Sequence, residues 1–193
     1  MNYSELFIAV KGYLENDFPS TVFTDSAGSS SSSAAALTST EQVNTFITQA
    51  EQRIYNTVQF PSLRKNVTGT LSTNNKYLSC PSDFLAVYSM AVVNTDGSYA
   101  FLLNKDVNFI REAYPTPTDT GTPAYYALFG PVSTNEAELT FILGPTPDAA
   151  YSMELHYFYY PQSITTTASG TTWLGDNIDS VLLYGSLVEG YTF

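Results

Sequence analysis

The sequence predicts an α+β fold, in which a helical bundle of three main helices carries an inserted antiparallel β domain. Three observations lead there. Apolar residues recur at helical spacing only near the two ends of the chain. The middle alternates with period two and is punctuated by turn residues. The resulting order is helix, helix, sheet, helix. The predicted organisation assigns 1–62 to the N-terminal bundle helices, with a flexible loop at 24–37. It assigns 63–162 to the inserted β domain and 163–193 to a loop and the C-terminal bundle helix.

Each element follows from local signals. Residues 2–16 read as a helix because Leu6, Phe7, Val10 and Leu14 share a face, and Phe18-Pro19 ends it. Ser29 to Ser33 and the alanines after them have no periodicity, which marks a flexible loop. Thr38 and Glu41 form a capping-box pattern at the start of a helix over about 39–58. Val43, Phe46, Ile47, Ala50 and Ile54 make its apolar stripe. Glu51, Gln52 and Arg53 are expected off the centre of that stripe, and Phe60-Pro61 stops the helix.

Strand character then begins at Val67–Leu71 and resumes at Tyr77-Leu78-Ser79 after an Asn74-Asn75 turn. Pro81-Ser82-Asp83 reads as a tight turn, Leu85–Val93 as a strand, and Tyr99–Leu103 as its return strand. Asp96-Gly97 joins the two, since glycine permits positive φ. A short helix is expected over 105–113, then strands at about 124–129, 138–143 and 151–160. In the last of these, Tyr151, Met153, Leu155, Tyr157 and Tyr159 alternate with Ser152, Glu154, His156, Phe158 and Tyr160. Aromatics on both of its faces suit a central strand, or one covered on both sides. Trp173-Leu174 precedes a third main helix from about 177, with Val181, Leu182, Tyr184, Leu187 and Val188 at helical spacing. No helix-stop signal precedes Phe193, so a longer parent chain is expected.

Composition narrows the function. The 193 residues include 18 acidic and 7 basic ones, a net charge of -11, and after Arg111 no Lys or Arg occurs. Neither tight nucleic-acid binding nor adhesion to an anionic membrane fits an anionic C-terminal half. Such a surface suits solubility, or a passage that must not hold DNA. No apolar run reaches membrane-spanning length, and no signal peptide is evident. Cys80 is the only cysteine, so no intrachain disulfide forms. The sequons at Asn2 and Asn66 read as chance matches.

Catalytic equipment is sparse. His156 is the single histidine and is expected to be a packed or surface strand residue. One His and one Cys cannot make a typical zinc site, and no phosphate loop or dinucleotide fingerprint is present, so no metal or cofactor is expected. Ser62-Leu63-Arg64-Lys65 matches a Ser-x-x-Lys pattern without its companion motifs. A carboxylate hydrolase would have to draw on Asp83, Glu136, Glu138 or Glu154. Fifteen Tyr and twelve Phe offer another reading, a receptor- or carbohydrate-binding module, because exposed rings stack on sugars or fill partner pockets.

The ordered motifs resemble the head-to-tail adaptor proteins of tailed bacteriophages, especially short-tailed ones. The similarity runs from Phe46–Ile54 through Leu78–Leu85, with its Pro81-Ser82-Asp83-Phe84-Leu85 turn, to Pro123–Leu128. It continues through Pro145-Thr146-Pro147-Asp148 with Tyr151, Leu155, Tyr157 and Tyr159, then Thr172-Trp173-Leu174 and Leu182–Leu187. The Ser/Ala-rich loop reads as an insertion between the first two helices. The resemblance implies a non-enzymatic structural virion protein of the head-tail neck, made in the host cytoplasm. Its copies would form a ring, a dodecamer matching the portal, and extend the DNA channel without binding DNA specifically. The implied partners are the portal protein, tail or nozzle proteins, tail fibres and further copies of the chain. The expected interface residues are Phe46, Ile54, Asp83, Phe84, Tyr157, Tyr159, Trp173, Tyr184 and Leu187. The helices at 39–58 and 177–193 are expected on the portal side, and the β domain at 64–160 toward neighbouring copies and the tail.

Overall fold

A computed structural model describes residues 1–19, 37–94, 96–131 and 139–193. The expected loop at 24–37 lies outside the described residues except for Leu37, as does residue 138 at the start of one expected strand. The chain forms the predicted α+β fold. It divides into two compact units, Met1–Gln59 with Pro161–Phe193, and Phe60–Tyr160.

The first unit is helical. Helix α1 (Tyr3–Leu14) opens with a capping box in which the Asn2 side chain accepts from the Glu5 backbone and Glu5 accepts from the Asn2 backbone. Helix α2 (Ser39–Thr57) opens with the capping box expected from Thr38 and Glu41. Val43, Phe46, Ile47 and Ala50 are buried as their spacing requires. Glu51 corrects the sequence reading: it is 2 % exposed, at the centre of the packed face rather than beside it. The third main helix is broken in two. Helix α4 (Trp173–Asn177) is capped by the Thr172 side chain, Ile178 leaves helical geometry, and α5 (Asp179–Thr192) follows. Helix α5 packs on both α1 and α2. Gly185 permits the second contact, because a Cβ there would lie 3.3 Å from the Ala50 Cβ.

The second unit holds the strands. They are β1 (Arg64–Thr70), β2 (Tyr77–Ser79), β3 (Phe84–Val93), β4 (Tyr99–Phe101) and β5 (Leu103–Asn104). After helix α3 (Val107–Ala113) come β6 (Thr120–Gly121), β7 (Tyr125–Phe129), β8 (Thr140–Gly144), β9 (Thr146–Pro147) and β10 (Ser152–Tyr159). One sheet has the order β1-β10-β3-β4, a second β2-β8-β7-β5, and β6 pairs with β9. Strand β10 is central, one of the two arrangements that its two-faced aromatic pattern suits. The expected antiparallel pairing needs one amendment: β5 with β7 and β6 with β9 are short parallel ladders. The return strand after the hairpin also splits, since buried Leu102 takes the chain from β4 in the first sheet to β5 in the second. At the hairpin, Gly97 adopts φ 83°, and the Asn94 backbone pairs with Ser98.

The two larger sheets face each other across one core. Met90 and Val92 of β3 and Met153, Leu155 and Tyr157 of β10 meet Tyr126 of β7 and Phe141 and Leu143 of β8. Each such buried apolar side chain contributes roughly 1.5–3 kcal/mol. On the other side of β8, Ile142 packs with Ala127 and with Ile110 of α3. The layers are therefore sheet, sheet, helix. One face of β1-β10-β3-β4 remains outside this core, and the side chains that matter below lie on it or at its edge.

Candidate functional site

Four expected interface residues converge at the end of β10. The Pro81-Ser82-Asp83 turn delivers Asp83 beside Tyr157, whose hydroxyl donates to Asp83 Oδ1 at 2.8 Å. Lys65 Nζ donates to Asp83 Oδ2 at 2.5 Å and stands 4.0 Å from the centre of the Tyr159 ring. Phe84 stacks on Tyr157 with centroids 6.0 Å apart. Partial burial raises the Asp83 carboxyl, but the Lys65 ammonium and the Tyr157 hydroxyl outweigh it and hold the group below its ordinary value. Partial burial and the Asp83 carboxylate push Tyr157 up to about 12. Every group here has a partner within the unit, so the arrangement ties β1, β3 and β10 together and leaves no nucleophile or base unpaired.

The expected helical residues meet in a different place. Phe46 packs edge-on to Phe18 and lies 5.2 Å from the Phe193 ring. Leu187 is buried, and Ile54 lies 3.7 Å from the position a Cβ on Gly185 would take. These residues build the seam between α2 and α5. Trp173 is half-buried at the start of α4, whereas Tyr184 is 66 % exposed. With Val181, Val188 and Tyr191 it forms an apolar stripe along the outer side of α5, with every member 47–70 % exposed. Of that stripe, only Tyr184 is among the interface residues expected from the sequence. The spacing 181, 184, 188, 191 was available, but it does not tell which face of an all-round apolar helix meets its own bundle.

The outer face of the first sheet carries a second polar group. Glu154 Oε1 accepts from the Asn66 side-chain amide and pairs with His156 Nε2 at 3.0 Å. His156, then Asn66, then the Tyr99 hydroxyl stabilise this carboxylate and hold it below its ordinary value. Glu154 in turn raises Tyr99. These residues, with Ser89, come together through cross-strand register, which a single strand's pattern does not reveal. Ser89 stands opposite His156, but no hydrogen bond joins them among the described residues. Asp83 and Glu154 do not form a hydrolase pair either, because Glu154 lies on the opposite face of β10 from Tyr157, the residue that Asp83 holds. Glu136 and Glu138 lie outside the described residues. No group of three or more His, Cys, Asp or Glu suited to a metal occurs among the described residues.

All seven Lys and Arg are engaged. Arg53 pairs with Glu189 at 2.8 Å. Lys11, Arg64, Lys65, Lys76, Lys105 and Arg111 each stand over an aromatic ring of the same unit. A phosphate backbone would find no cluster of unengaged cations here. No helix among the described residues is long and apolar enough to cross a membrane.

Comparison with known proteins agrees with a structural reading. Residues 1–193 match the family described as SU10 adaptor protein, and the chain belongs to that family. None of the curated proteins compared matches the chain. The family's role is that of a structural phage adaptor.

Proposed function

From membership in the SU10 adaptor protein family, we propose that this chain is a head-to-tail adaptor whose copies form a twelvefold ring between portal and tail and extend the DNA channel. The observation that carries the ring is the outer stripe of α5. Val181, Tyr184, Val188 and Tyr191 present a continuous apolar surface on a helix whose opposite side, with Leu182, Ser186 and Leu187, is already packed. A stripe of this kind marks a protein–protein contact. A closed ring joins two different faces of each subunit, and the portal and tail proteins, with tail fibres, take the two ends. The α2–α5 side is assigned to the portal and, through the outer stripe of α5, to a neighbouring copy. The β unit is assigned to neighbouring copies and the tail, which places the chain in the virion neck. Engaged cations and an anionic C-terminal half support a channel through which DNA slides without being held.

The test is reconstitution. The purified chain is mixed with its cognate portal and imaged by electron microscopy. A twelvefold ring seated on the portal is expected, and a full-length chain that forms neither a ring nor a portal complex overturns the reading.

A further inference from the structure

We propose that the outer face of the β1-β10-β3-β4 sheet holds a saccharide site, which seats one pyranose ring of a neutral glycan on Tyr99 and Phe101. This is a function beyond the adaptor role and does not depend on it.

The platform comes from strand geometry. Tyr99 and Phe101 are two residues apart on edge strand β4, so both rings stand on one face. Their planes lie within 22° of each other with centroids 6.3 Å apart, and they are 54 % and 66 % exposed. An aromatic ledge of two near-parallel rings left in water suits a flat ligand with an apolar face. The C–H face of a pyranose is such a surface.

Beside the ledge is a cavity of about 220 Å³ lined by Ser89, Ala91, Tyr99, Phe101, Glu154 and His156. Small side chains at Ser89 and Ala91 keep its floor low. The space equals about seven water molecules, the scale of one six-membered ring rather than an extended chain. Its polar wall is held in place, since Glu154 Oε1 is bonded by Asn66 and His156. Hydroxyl groups donate and accept, and this wall offers both functions at fixed positions.

Other ligand classes fit less well. A nucleotide would stack on the rings but bring phosphate to the Glu154 carboxylate. A cationic side chain would seek an unengaged carboxylate, whereas Glu154 Oε1 already takes the Asn66 amide and the His156 ring. A lipid would need an enclosed apolar cavity, and this one opens on a polar wall.

His156 provides the readout, because it is the chain's one histidine and its imidazole proton signals need no assignment strategy. Glucose, galactose, mannose, N-acetylglucosamine and a glucose oligomer are titrated into the full chain. At least one is expected to move the His156 signals saturably, with a Kd on the order of 1 mM. Phe101→Ala and Tyr99→Ala are each expected to weaken that binding about tenfold. Both side chains are exposed, so the thermal midpoint should hold. Ser89→Leu, which fills the cavity floor, is expected to abolish the response. The proposal is overturned if no sugar in this set shifts His156 saturably. It is equally overturned if the shift survives unchanged in the Tyr99→Ala, Phe101→Ala double variant.

Discussion

Asp83 in the β unit and Glu51 in the helical unit are both carboxylates drawn away from water, and their pKa values move in opposite directions. Asp83 keeps a lysine and a phenol beside it, and its carboxyl falls below the ordinary value despite partial burial. Glu51 lies deeper and has no cation. Its Oε1 accepts the Ile164 backbone N–H at 3.0 Å, and its Oε2 has no hydrogen-bond partner among the described residues. Burial outweighs help from Ser163 and Ile164, and the carboxyl rises. The difference teaches that a counter-charge, not depth alone, decides whether such a group favours the folded chain as an anion. Glu51 ties α2 to a loop 113 residues away in sequence.

The largest expected effect tests the packing behind Asp83. Phe84 supports Tyr157 by stacking and meets Phe141 edge-on at 5.4 Å. Phe84→Ala should destabilise the chain by about 3–5 kcal/mol, read from urea unfolding. Next comes Glu51→Ala, which orphans the buried Ile164 N–H. A loss of about 2–3 kcal/mol is expected, together with earlier proteolysis around 161–172. If that cut site does not open, Glu51 is not what fastens the loop.

Charge removal sharpens the comparison further. Asp83→Asn should cost roughly 1 kcal/mol at pH 7, because the Lys65 pair is partly solvated while the bond to Tyr157 can persist. The native carboxyl titrates below its ordinary value of 3.8. Its contribution is therefore complete above that pH and is lost as pH falls through the folded-state pKa. Glu51 carries the opposite sign. Its folded-state pKa lies above 4.5, so stability is greatest below that pH and declines as pH rises through the folded-state value. Glu51→Gln keeps an acceptor for Ile164 and removes the charge. It should raise the unfolding midpoint at pH 7, with the gain vanishing in acid. Thermal melts of both variants from pH 3 to 7 should diverge in these two directions.

The pair also marks how far the sequence could be read. Asp83 sits in a turn whose Pro, Asp and Phe act over a few residues, so the turn that holds it is legible before any strand pairing is known. Glu51 was read as lying off the apolar stripe. What buries it is the segment at 163–165, and nothing in the helix announces that partner. The strands followed from alternation, and the hairpin from Asp96-Gly97. The break at Ile178 and the change of sheet at Leu102 did not, because each follows from where a neighbouring element receives the chain. Glu154, His156 and Asn66 share a site only through the β1–β10 and β10–β3 registers.

The smallest expected change in stability tests the other kind of surface, the exposed stripe of α5 at Val181, Tyr184 and Val188. Tyr184 points away from the seam that holds Phe46, Ile54 and Leu187. Tyr184→Ala should leave the unfolding free energy within about 0.5 kcal/mol of the parent, as exposed substitutions usually do. The Val181→Ser, Tyr184→Ala, Val188→Ser triple variant should likewise stay folded. If α5 meets a neighbouring copy through this stripe, sedimentation should find the triple variant monomeric under conditions in which the parent chain forms rings. Phe84→Ala should act in the reverse way, lowering stability while leaving the oligomer that survives unchanged. A triple variant that still assembles would move the ring contact off α5 and onto the β unit.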